Sequence, residues 1–158
     1  DIISVSRIVT LSRYSNLCTG YQSTKQPGGV MKTSMKEIHD VSVENAPAVI
    51  EIALKKAGLR MSQIDHLIPH QTAKHSIQMG AIRFEKYFGE KPANVILNLT
   101  ETGNTASTTH FTTLYKCLNE YMFRKGERVM LLSFASGLVI GVVIFTINNI
   151  IDLYGNDN

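Results

Sequence analysis

The run Asp65-His66-Leu67-Ile68-Pro69-His70-Gln71-Thr72-Ala73 decides how the rest of this sequence is read. Ile64 to Ile68 is too short an apolar stretch for a helix and Pro69 closes it, so it reads as a strand that hands His70 to the start of a helix. The same grammar returns 34 positions later, at Asn104. There Asn94-Val95-Ile96-Leu97-Asn98-Leu99 reads as a strand and Thr102-Gly103-Asn104-Thr105-Ala106-Ser107 as the turn into another helix. In a parallel sheet both junctions lie at the carboxyl edge of the strands, where open α/β sheets bind their ligands. Adjacent strands are only ~4.8 Å apart, so His70 and Asn104 are expected to converge on one point.

Working outward, apolar residues at Ile38, Val41, Ala46, Val49, Ile50, Ala53, Leu54 and Ala57 form a helical stripe over 36–57, which Gly58 stops. Pro47 should kink or restart that helix, because its ring removes an amide donor. After His70 a second helix is expected to about Phe88, with Ala73, Ile77, Phe84 and Phe88 on one side and Gly89 as its stop. Gly80 inside it costs up to ~1 kcal/mol relative to Ala, which suggests a close approach by another backbone. A strand over 93–99 and a third helix from 105 to about 123 follow, the latter with Leu114, Cys117, Leu118 and Tyr121 as its stripe and Gly126 as its end. The last strands are 128–134 and 138–148, joined through Ala135-Ser136-Gly137.

Upstream, residues 1–24 read as one or two strands, and Gln26-Pro27-Gly28-Gly29 as a turn. The tail from Asp152 reads as frayed. The order β, α, β, α, β, α, β, β predicts an α/β fold with a mixed five-stranded sheet and helices on both faces. Residues 1–151 form one domain on this reading, with 152–158 as a tail.

Composition narrows the function classes. A chain of 158 residues, 44% hydrophobic and 18% charged, is globular and long enough for one real core. Its formal net charge of +3 is spread over helix faces, which argues against nucleic acid as a partner while leaving a modest attraction to acidic ones. Cys18 and Cys117 do not make a disulfide framework, so a reducing, cytoplasmic setting is expected. Residues 129–147 are mostly apolar and long enough to span a bilayer as a helix. They are rich in β-branched residues and interrupted by Ser133, Ser136, Gly137 and Gly141, so they read as two strands and no membrane segment is expected. With Asp1-Ile2-Ile3 at its start and no initiator Met, the chain reads as a piece of a longer protein.

From Lys36 to Ile147 the sequence resembles the C-terminal half of ketoacyl-acyl-carrier-protein synthase III and its relatives in the thiolase superfamily. The residues that carry the resemblance are Ala57-Gly58-Leu59, then Asp65-x-x-Ile68-Pro69-His70-Gln71, then Gly103-Asn104-Thr105-Ala106-Ser107, then Ser133-Phe134-x-x-Gly137 ahead of a strand with Gly141. What the resemblance implies is half of an enzyme built from two fused α/β modules, working as a homodimer. Such enzymes join an acyl group to a malonyl thioester with loss of carbon dioxide, using a Cys, a His and an Asn. The resemblance places the His at His70 and the Asn at Asn104, and puts the nucleophilic Cys in an N-terminal half outside this sequence. Acyl and malonyl thioesters, carried on coenzyme A or on an acyl-carrier protein, are the implied substrates, and no separate cofactor is implied. Relatives often carry Asn where this chain has Ala73, and Arg where it has His75. Lys74 is the substitute cation, if it is not simply a solvated surface Lys. The loop with Phe134 and Gly137 borders the active site on the same resemblance, although Phe134 alone reads as core.

The chemistry fits the residue types. Decarboxylation of a malonyl thioester leaves an enolate, and hydrogen-bond donors placed at its oxygen lower the barrier. A neutral imidazole and an Asn amide supply such donors without net charge, and the positive end of the following helix should keep His70 neutral. Plainer readings stand beside this one: His70 capping its helix, and Asn104 serving as an N-cap. His66, His70 and His75 invite thought of zinc, but Pro69 breaks the helix that would align them, so no metal is expected. His39 and His110 have no role on the sequence alone. Alternative functions are a scaffold or partner-binding half-module, and an acyl transferase or thioesterase on the same fold.

Overall fold

The computed structural model describes residues 3–25 and 27–154. In chain order the elements are β1 (Ile3–Thr10), β2 (Cys18–Gln22), β3 (Gly29–Thr33), α1 (Met35–Ala57), β4 (His66–Pro69), α2 (Lys74–Phe88), β5 (Asn94–Val95), α3 (Leu99–Thr102), α4 (Thr109–Asn119), β6 (Arg128–Ala135) and β7 (Val139–Thr146). Five strands make one sheet in the order β1-β7-β6-β4-β5. β4 runs parallel to both β5 and β6, whereas β7 is antiparallel to β6 and to β1.

Alternation along the strands explains why helices cover both faces. Leu67, Met130 and Leu132 pack on one side with Ala46, Val49, Ile50, Ala53 and Leu54 of α1 and Phe84 of α2. Their neighbours Ile68 and Val129 turn to the other side, onto Cys117 and Leu118 of α4 and onto Phe123. In β7 the buried set is Ile140, Val142 and Ile144, every second residue, as a pleated strand requires. Each such aliphatic side chain contributes about 1.5–3 kcal/mol when taken fully out of water. The stretch expected as two strands rather than a membrane span is thus β6 and β7, and no helix among the described residues is long and apolar enough to cross a membrane.

Two of the three expected helix stops fall on glycines in the left-handed region, Gly58 at φ 67° and Gly89 at φ 69°; the third, Gly126, lies beyond the end of α4 at Asn119. Elsewhere the structure corrects the sequence reading. α1 does not restart at Pro47 but continues as one helix of 23 residues. The Asn45 side-chain amide donates to the Val41 carbonyl at 2.8 Å, adding a bond next to the donor that Pro47 lacks. The strand expected over 93–99 shrinks to Asn94–Val95: the Ile96 N–H still reaches the Leu67 carbonyl of β4 at 2.9 Å, but the Ile96 carbonyl and the Asn98 N–H turn to a side chain, and 99–102 is helical. The helix expected from 105 becomes a short 3-10 turn, Ala106–Thr108, followed by α4. Ala106 sits at φ 51° and Tyr121 at φ 53°, values no α-helix accommodates, so the helix is confined between them.

The opening segment gives β1, a 3-10 turn at Ser12–Leu17 and β2, and β2 pairs with the unexpected β3 in a separate hairpin. Of the expected turn ahead of β3, Gln26 lies outside the described residues, while Gly28 has φ 95°. Asp152 and Leu153 belong to a 3-10 turn rather than a frayed tail, and Tyr154 meets Tyr115 edge to face at 6.1 Å; residues 155–158 lie outside the described set. Gly80 makes no close backbone approach: a Cβ built there meets nothing within 4 Å.

Candidate active site

β4 ends at Pro69, and the next backbone N–H, that of His70, donates to the Leu132 carbonyl of β6 at 2.8 Å. This last rung fixes the His70 backbone at the carboxyl edge of the sheet and leaves its half-buried ring facing a cavity of about 370 Å³. The cavity lies between the N-terminal halves of α1 and α2 and the sheet, and its deep part is apolar, with Leu67, Ile77, Phe84 and Leu132. Asn104 and Phe134 line it as well; Asn104 comes from the link between α3 and α4 rather than from the expected strand end, yet it reaches the same space as His70.

His70 is held neutral. Burial lowers its pKa below the ordinary histidine value, and the nearby His110 lowers it further. The direction agrees with the sequence expectation, but the cause differs. α2 begins only at Lys74, with Ala73 as its N-cap residue and no side-chain cap, so His70 neither caps the helix nor sits on its first turn. Asn104 follows Gly103, whose φ of 66° with ψ −164° is open to glycine alone. The Asn104 side-chain carbonyl accepts the Ala106 N–H at 2.9 Å, which assigns Nδ2 as the group left to donate. Asn104 is not the N-cap of α4, a position held by Thr108.

Two residues without an assigned role in the sequence hold this geometry. Gln71 is fully buried, and its amide Nε2 donates to the carbonyls of Pro69 (2.9 Å) and Ile96 (3.2 Å) while its Oε1 accepts the Asn98 N–H at 2.9 Å. It ties the end of β4 to the chain that leaves β5, and so replaces the strand expected there. His110 is buried in the first turn of α4, with its ring centroid 5.9 Å from that of His70. Its signal was present: His110, Thr113, Leu114 and Cys117 follow the i, i+3, i+4, i+7 spacing of an inward helix face.

The other expected site residues separate. Phe134 lines the cavity; Gly137 sits at φ 104° in the turn between β6 and β7 and does not. Lys74 and His75 are exposed on α2 and outside the lining, whereas Ala73 is part of it. His66 points away from His70, with Nε2 2.8 Å from the Glu127 carboxylate and its ring edge-on to Phe123. No cysteine lines the cavity. Cys117 is buried, and its thiol is pushed up to about 11 by burial. Cys18 lies on the β2–β3 hairpin, its thiol lowered by hydrogen bonding to Ser136 and to Thr33.

The fold is one already seen in solved structures. It matches the crystal structure of 3-oxoacyl-[acyl-carrier-protein] synthase III from Aquifex aeolicus with a TM-score of 0.77 at 20% identity, over 92% of this chain and 44% of that one. It matches an OleA variant from Xanthomonas campestris, crystallised with lauric acid and lauroyl-CoA, with a TM-score of 0.75 at 21% identity, over 92% and 40%. Residues 54–147 fit the family described as 3-oxoacyl-[acyl-carrier-protein (ACP)] synthase III C terminal, and the chain belongs to that family. It is 29% identical over 150 residues to the beta-ketoacyl-[acyl-carrier-protein] synthase III of Latilactobacillus sakei, covering 87% of this chain and 45% of the relative. Against the enzyme of the same name from Symbiobacterium thermophilum the identity is 32% over 123 residues, covering 71% and 36%. The chain thus spans less than half the length of these relatives.

Proposed function

We propose that this chain is the C-terminal half of a condensing enzyme of the 3-oxoacyl-[acyl-carrier-protein] synthase III type, and that His70 and Asn104 are its enolate-stabilising donors. The observation that carries the proposal is that these two residues, one just past the end of β4 and the other in the link from α3 to α4, line one largely apolar cavity with His70 held neutral. In the reaction the bond from the malonyl α-carbon to its carboxylate breaks and carbon dioxide leaves. The electron pair passes onto the thioester carbonyl as an enolate, whose oxygen takes hydrogen bonds from the imidazole N–H and the Asn104 amide. The α-carbon then attacks an acyl group held as a thioester on a cysteine, and that thiolate departs. The cysteine belongs to a half of the enzyme outside these residues, because Cys117 is buried with a raised thiol pKa and neither cysteine lines the cavity.

The donors act without adding charge, and losing one such donor costs roughly 10²–10³ in rate. Phe134 borders the substrate. Delivery of the substrate, on coenzyme A or on an acyl-carrier protein, runs past the rim formed by Lys36, His39, Thr72 and Ala73. The enzyme acts as a cytoplasmic homodimer in fatty-acid or polyketide synthesis.

The test is made in the full-length enzyme. His70→Ala and Asn104→Ala should each depress malonyl decarboxylation roughly 10²–10³-fold and leave acylation of the nucleophilic cysteine comparatively intact. Loss of acylation with normal decarboxylation in both variants would overturn the assignment.

A further inference from the structure

We infer that His110 is a positioning residue, a strut that locks the helix after Asn104 to the backbone of His70 through one shared carbonyl. The carbonyl is that of Leu132 in β6. It accepts the His70 N–H at 2.8 Å and stands 3.0 Å from Nε2 of His110. A carbonyl only accepts, so the His110 proton sits on Nε2 and the neutral ring leaves Nδ1 bare. The Ser133 hydroxyl stands about equally far from both nitrogens, 3.5 Å from Nδ1 and 3.4 Å from Nε2, so the tautomer is set by the Leu132 carbonyl. Both lone pairs of the Leu132 oxygen are then used, one by the end of β4 and one by the first turn of α4.

The consequence is geometric. Asn104 precedes His110 by six positions, through a turn that the Asn104 side chain itself closes onto Ala106. Anchoring the start of α4 therefore anchors that turn relative to His70, and the two junctions that line the cavity are held in register by an atom belonging to neither. On the far side of β4, Gln71 ties the strand to the chain that leaves β5. His110 completes the hold from β6. Its burial also keeps the strut in its neutral form, since desolvation lowers its pKa more than the Leu132 bond raises it. Among the described residues His110 is the ionisable group that acts on His70, so a proton on one ring opposes a proton on the other.

This role rests on the reading of His70 as a donor, but the strut itself is measurable without substrate. In the unaltered protein, imidazole ¹⁵N shifts should show His110 as the Nε2–H tautomer; an Nδ1–H tautomer would overturn the inference before any variant is made. Hydrogen exchange of the His70 amide should speed up about five- to ten-fold in His110→Leu, which fills the space but cannot donate, and stay near the native rate in His110→Gln, which keeps a side-chain N–H. Unchanged protection in His110→Leu, or equal loss in both variants, would also overturn it. In the full-length enzyme His110→Leu should lower kcat for decarboxylation about ten-fold with little change in KM, and His110→Gln should recover most of it. Normal decarboxylation by His70→Ala would refute the catalytic reading alone, and would leave the tautomer and exchange results standing.

Discussion

The Oε1 atom of Gln71 accepts the backbone N–H of Asn98 at 2.9 Å, across 27 positions of chain, while its Nε2 serves two carbonyls. Three buried backbone groups thus depend on one side chain, and each loses its only described partner of this kind if the amide is removed. An unsatisfied buried polar group costs about 1–3 kcal/mol, so Gln71→Ala should destabilise the protein by about 2–4 kcal/mol in urea unfolding. A loss below about 0.5 kcal/mol would place the variant among ordinary surface substitutions and remove Gln71 from its structural role.

Gly80 leads to a prediction of opposite sign. It lies inside α2, faces the cavity, and offers an added Cβ open space. Gly80→Ala should therefore raise stability by about 0.5–1 kcal/mol, the usual difference between these residues in a helix. Thermal unfolding checks this, and a fall in Tm would show that the open space is needed for packing.

The histidines set a pH dependence. Both His70 and His110 have folded-state pKa values lowered by burial, so the unfolded chain binds more protons once the pH falls below the ordinary histidine range near 6.5. Stability is then fully present above about pH 6.5 and declines as the pH drops through it. Urea midpoints from pH 8 to pH 5 should fall in the native protein and fall less in His110→Gln. Identical slopes would mean that His110 is not buried in its neutral form.

Glu127 acts further down the scale. Burial would raise its carboxyl pKa, but the His66 hydrogen bond, the Arg124 N–H and the charges of both residues outweigh that and hold it below the usual carboxylate range. A depressed acid stabilises above its unfolded pKa, about 4.3, and the contribution disappears as the pH falls through the lower folded value. Glu127→Gln should lower stability at pH 7 by no more than about 1 kcal/mol, since solvent screens a partly exposed carboxylate, and flatten the acid limb below about pH 4.5. A parallel shift at every pH would assign the loss to packing.

α4 predicts association. Cys117 and Leu118 are covered by the sheet, but Phe111 and Tyr115 are 69% and 62% exposed beside them. Apolar area of this kind usually finds a partner. Light scattering of the 158-residue chain should therefore rise with concentration, and Phe111→Ser with Tyr115→Ser should abolish the rise. A monomer at all concentrations would mean that this face needs no cover.

What the sequence disclosed follows from how local each signal is. Gly58 and Gly89 mark helix ends through a backbone constraint that involves only their own residue, and Pro69 closes β4 for the same kind of reason. β6 and β7 show in their β-branched alternation. The shortened β5 did not show, because what ends it is Gln71, a side chain more than 20 positions away in sequence. The β2–β3 hairpin is nearly all polar or exposed and carries no period to read. His70 was visible as the residue after a strand end and Asn104 as a glycine turn, although α3 rather than a strand leads into it; His110 showed as an inward helix position, but its partner, the Leu132 carbonyl, lies on a strand not yet placed when the sequence is read.

The pairing of β1 with β7, from Ile3 opposite Phe145 to Thr10 opposite Val139, bears on the order of events in the cell. During synthesis at about 5–20 residues per second, a strand like β1 waits roughly 6–26 s for the partner that follows about 130 residues behind it. Through that interval its hydrogen-bonding edge and the apolar side of α1 are open to other nascent chains. The exposed Arg7 in the middle of β1 is a charge of the sort that discourages strand-to-strand capture by strangers. Protection of this protein against aggregation is thus a matter of timing on the ribosome as much as of final stability.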